Sequence, residues 1–156
     1  MKKKISVVIA VIALVSIGRV AYAAYEQHIA KHTFLEWIYE VEPETITDWG
    51  AVDTRNVQST KDYIDLNLKD EQKKELCLAL KSIKSDEVTL GRGRHDARLL
   101  SLYFFVLETM DWNFRFDGEV VWLYGIPEEL QEVTGWWPWE IRNEKLNEFL
   151  SGLLEQ

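Results

Sequence analysis

Residues 112–124, WNFRFDGEVVWLY, decide the fold, because two alternating runs of apolar and polar residues flank Asp117 and Gly118. A period of two places Trp112, Phe114 and Phe116 on one face of a strand, and Val120, Trp122 and Tyr124 on one face of the next. Asp-Gly between such runs predicts a β-hairpin closed by a two-residue turn. Just upstream, Leu99–Leu107 is apolar at nearly every position and includes Tyr103, Phe104, Phe105 and Val106. It reads as a strand buried on both faces. The three strands together predict an antiparallel meander.

Helices flank this block. Between Lys69 and Ile83, Leu76, Cys77, Leu80 and Ile83 recur at helical spacing while charged residues fill the other positions, with Asn67 or Asp70 as the expected cap. At the other end, Asn143 is placed to cap a helix whose apolar stripe is Leu146, Phe149, Leu150 and Leu153. Glu87–Leu90 reads as a further strand, and Ile38–Thr54, with Pro43 and Gly50, as one or two short strands around a turn. A short helix is expected from Pro127, ended by Gly135. Strands, helix, meander, helix is the order of an α+β domain, and no repeat or linker divides residues 38–156.

Lys2, Lys3 and Lys4 precede Ile5–Gly18, which carries no charge; Arg19 and Ala21-Tyr22-Ala23 follow. These are the parts of a signal peptide over residues 1–23, cleaved after Ala23. Ile5–Tyr25, interrupted only by Arg19, equally suits a retained membrane anchor, with a helix running on to about residue 37 as a stalk. Both readings keep the lysines on the cytoplasmic side and place the body outside, anchored or secreted.

Composition narrows the partners. Residues 1–23 hold four of the 18 Lys and Arg and no acid, so the remainder carries 14 bases against 26 acids. A body of net charge −12 disfavours nucleic acid as a partner and leaves a protein or a cell-wall polymer. Cys77 is the only cysteine, which excludes an intramolecular disulfide and suits a buried thiol in a helix.

The phrases Leu80-Lys-Ser-Ile83, Gly91-Arg-Gly93 and Trp139–Phe149 (WEIRNEKLNEF) are similar to those of small exported or membrane-anchored proteins of Gram-positive bacteria. The resemblance spans about residues 66–151, implies fold and location only, and carries over no catalytic residue.

Two segments stand out as surfaces for a ligand or partner. Gly91–Arg98 concentrates Arg92, Arg94, His95 and Arg98 beside Asp96. Its glycines admit an anion to the backbone, and arginine offers a fork of donors to carboxylate or phosphate, although the phosphate-loop pattern is absent. His95 and Asp96, as neighbours on an extended chain, point to opposite faces and make a poor acid–base pair. Trp136, Trp137 and Trp139 around Pro138 either form a packing corner or offer rings to a sugar or a protein. His28, His32 and Glu36, four apart, would stack on one helical face as a polar stripe on the stalk. No nucleophile–base constellation, metal-ligand pattern or cofactor motif is present, so the expectation is a non-enzymatic extracytoplasmic binding domain. A toxin-neutralising envelope protein and a wall-glycan binder using the tryptophans are the alternatives.

Overall fold

The computed structural model describes residues 2–55, 64–66, 68–91, 99–106, 110–125 and 138–155, with the side chains of the first helix described from Ile12 onward. The fold is α+β: seven strands form one antiparallel sheet, and three α-helices accompany it among the described residues. The helices are α1 (Lys2–Glu40), α2 (Asp70–Lys81) and α3 (Glu144–Leu153). The strands are β1 (Ile46–Asp53), β2 (Ile64–Leu66), β3 (Val88–Leu90), β4 (Leu100–Val106), β5 (Met110–Phe116), β6 (Val121–Tyr124) and β7 (Trp139–Ile141). Their order across the sheet is β2-β1-β4-β5-β6-β7-β3, with β4, β5 and β6 as the predicted meander at the centre.

Register explains the core. Ala51, Leu102, Phe114, Leu123, Trp139 and Leu90 align across six strands, and Leu100, Phe116, Val121, Ile141 and Val88 form the next row. All these side chains lie on the face that the helices cover, and all are buried except half-buried Leu90. β4 is buried on this face, whereas Tyr103, pointing the other way, is 39% exposed. The expectation of a strand dry on both faces therefore fails at Tyr103 and at half-buried Ser101; the side chain of Phe105 lies outside the described residues.

α1 departs further from expectation. Instead of ending as a stalk near residue 37, it continues to Glu40, and Ala30, Phe34 and Ile38, each four apart, bury one face in the core with Leu35. The Phe34 ring stacks on Trp139 at 4.7 Å between centroids. Lys31 Nζ donates to the Ser85 carbonyl at 3.0 Å, and the Tyr39 hydroxyl donates to the Ile83 carbonyl. The core thus begins at Ala30, upstream of the boundary at residue 38 that composition suggested. Pro43 ends the helix by pushing Glu42 into extended backbone (φ −115°, ψ 150°), after which a 3₁₀ turn leads into β1. Earlier in α1, Ile12, Leu14, Val15, Ile17, Val20, Tyr22 and Tyr25 are exposed. Among the described residues no helix is long and apolar enough to cross a membrane.

β1 is one strand with a bulge rather than two strands around a turn. Its register against β4 slips between Thr47 and Gly50, and Asp48 takes a positive φ of 44° there. The bulge returns Trp49 to the helix-covered face, where Lys73 lies over its ring. On the opposite face Gly50 lets the Tyr103 ring lie against the backbone, in the space a Cβ would need.

The hairpin between β5 and β6 is present, but its turn is longer than predicted. Phe116 pairs with Val121, leaving Asp117–Val120 as a four-residue loop. Asp117 Oδ1 accepts from the amides of Glu119 (3.0 Å) and Val120 (2.8 Å), and only Gly118 takes a positive φ, 106°. The Asp117 side chain thus closes the turn that positive φ at both residues would otherwise have made.

α2 has Lys69 at its N-cap, whose amide donates to Gln72 Oε1 at 2.7 Å; Asp70, an expected cap, is instead the first residue of the helix, and Asn67, the other, lies outside the described residues. α3 is capped as predicted: Asn143 Oδ1 accepts from the Leu146 amide at 2.9 Å. The same buried side chain donates through Nδ2 to Glu87 Oε2 at 2.9 Å, tying the start of α3 to the turn after α2. Leu146, Leu150 and Leu153 are buried, while Phe149 is half-buried at the edge of the stripe.

Candidate functional site

The sheet edge formed by β3 and β7 places the two candidate segments in relation. Leu90 pairs with Trp139, and the Gly91 amide donates to the Pro138 carbonyl at 2.9 Å. The chain therefore leaves the sheet toward Arg92 and enters it from Trp137 at one point. Arg92, Arg94, His95, Arg98, Trp136 and Trp137 lie outside the described residues, as does the helix expected from Pro127.

The two residues nearest that point have structural roles. A Cβ on Gly91 would sit 2.9 Å from the Pro138 carbonyl oxygen, so glycine is there for close backbone approach, and its amide is already committed to that oxygen. Trp139 is 1% exposed and stacked on Phe34. It belongs to the packing corner, and its inclusion in a ligand surface is corrected: alternation in β7 turns it toward the helices.

Cys77 is a core residue. Burial pushes its thiol up to about 11, only partly offset by Lys81, so the thiolate needed for reactivity is scarce near neutral pH. His32 and Glu36 pair on the exposed side of α1 at 3.3 Å, and His28 is exposed one turn earlier.

The outer face of the sheet holds a polar cluster that the sequence reading passed over. Ser101 pairs with Arg115 and Arg115 with Trp122; Tyr103 pairs with Asn113 and Asn113 with Tyr124. Alternation puts all six side chains on the face away from the core. The Arg115 guanidinium lies over the Tyr124 ring, 4.2 Å from its centroid, and Ser101 Oγ approaches Asn113 Oδ1 at 3.5 Å. Arg55 and Arg142 are each paired with a carboxylate, Asp53 and Glu140 respectively. Arg115 has no such partner among the described residues, and its Nε is buried without an acceptor. The signal was already in residues 112–116: if Trp112, Phe114 and Phe116 face inward, Asn113 and Arg115 must face out.

Fold and surface together define an α+β domain with one helix-covered and one partly open sheet face. The chain matches no family model, no curated protein and no solved structure.

Proposed function

We propose that this chain is an extracytoplasmic, non-enzymatic interaction domain whose N-terminal helix places it at the cytoplasmic membrane. The observation that carries the reading is the contrast along α1. Its last turns are packed into the core, whereas Ile12, Leu14, Val15, Ile17 and Val20 are exposed at more than half their surface on all sides. Soluble surfaces do not spread large apolar residues around a whole helix, and an apolar environment accounts for them. In sequence, Ile5–Val11 extend this apolar part on the same helix toward Lys2–Lys4, which favours the body lying outside.

The interaction role, with a protein as the favoured partner, follows from what the body offers. Its one thiol is buried, His32 is engaged with Glu36, and an arginine without a carboxylate partner among the described residues lies over Tyr124 on the outer sheet face. Arginine and tyrosine are enriched where protein contacts are strongest. A reporter that is active only outside the cytoplasm, fused after Gln156, is expected to be active; activity of a cytoplasm-only reporter at the same position would overturn the placement. Envelope extracts passed over the immobilised chain test for a retained protein, and purified wall polymer tests the glycan alternative.

A further inference from the structure

The outer sheet face carries a partly buried cation whose anion is not supplied by the described residues. The chain has 26 acids against 18 bases, yet among the described residues Arg115 has no carboxylate partner while Arg55 and Arg142 each do. Asp117, two residues on from Arg115, is turned onto the amides of Glu119 and Val120, and Glu140, two strands away along the row Arg115–Trp122–Glu140, is bound by Arg142 at 2.8 Å. Buried donors are nearly always hydrogen-bonded, so a buried Nε–H lacking an acceptor marks a place where an acceptor belongs.

The neighbours suit one kind of acceptor. Tyr124 holds the guanidinium by its flat face, which fixes the plane in which its donors can meet a planar anion. Ser101, the cross-strand partner of Arg115, and Asn113, two residues along the same strand, add a hydroxyl and an amide on that face. Tyr103 flanks them with an exposed ring, and Trp122, the other cross-strand partner of Arg115, is buried beside it. We propose that Ser101, Asn113, Arg115 and Tyr124 form a subsite for a carboxylate, taken in fork-to-fork geometry by Arg115, such as an acidic side chain of a protein partner. The proposal deepens the interaction-domain reading, but its test needs neither a partner nor a cellular location.

The full chain, solubilised in a non-ionic detergent, is titrated with sodium acetate at ionic strength held constant with chloride, and followed by nitrogen–proton NMR. The Arg115 Nε–H and the amides of Ser101 and Asn113 are expected to shift saturably. Arg115→Gln should abolish the response, and Arg115→Lys, which keeps the charge but loses the fork, should weaken it roughly tenfold. Arg142→Gln should leave it unchanged. Preserved dispersion of the remaining amides shows that each variant is folded. No shift with acetate, an equal shift with chloride alone, or tighter binding of inorganic phosphate would overturn the carboxylate subsite.

Discussion

Asp53 sits where β1 leaves the sheet, 7% exposed, on the same face as the core. Arg55, two residues on, donates to it through Nε at 3.0 Å and through its terminal nitrogen at 2.6 Å, and reaches the Leu154 carbonyl at 3.3 Å. The guanidinium holds the Asp53 carboxyl below its ordinary range, against the opposing effect of burial. A depressed folded-state pKa means that the unfolded chain binds the extra proton first. This stabilisation is therefore complete above the unfolded carboxylate value, about 4, and disappears as pH falls through the lower folded value. Denaturation midpoints measured between neutral and strongly acid pH should fall less steeply for Asp53→Asn than for the parent; parallel curves would show that the pair contributes nothing. Gly118 presents a different constraint, since its φ of 106° is one that side-chain-bearing residues avoid and Leu99 lies 3.3 Å from where a Cβ would stand. Gly118→Val should cost about 1–3 kcal/mol in chemical denaturation, while an unchanged midpoint would mean that the loop re-forms in another shape.

At the scale of elements, the legible ones had a single environment along their length. α2 and α3 present one apolar stripe each, and in β5 Trp112, Phe114 and Phe116 alternate with polar residues, so period alone settled which side is buried. In α3 the stripe was located correctly but its weights were not: Leu150 is fully buried, whereas Phe149 lies half-buried beside Gln72, Glu75 and Gly152. Leu150→Ala should therefore cost about 3 kcal/mol and Phe149→Ala about half as much, a ranking read from paired urea titrations. The reverse order would mean that α3 is rotated on the sheet. β4 misled because Tyr103 is apolar enough to suggest burial on both faces, and β1 because a bulge interrupts its alternation. The Arg115 cluster was readable only in outline. Alternation put Arg115 outside, but its stacking on Tyr124 depends on register between strands.

For the whole molecule, the division of α1 matters most. Its polar residues between Tyr25 and Glu40 read as a solvated stalk, and only the tertiary structure shows Phe34 stacked on Trp139 under the sheet. Phe34→Ala should destabilise the body by about 3–5 kcal/mol, as loss of a buried ring does, and His32→Ala, on the exposed side, should leave the melting temperature in place. Equal effects would return this part of the helix to the role of a stalk. Since the same unbroken helix carries the exposed apolar residues and the docked face, nothing described between them acts as a swivel. The azimuth of the sheet is consequently set by helical phase. One residue inserted between Tyr25 and Ala30 turns everything after it by about 100° around the helix axis and shifts it by about 1.5 Å, so the polar face around Arg115 points in a different direction relative to the exposed apolar residues while both halves of the helix stay intact.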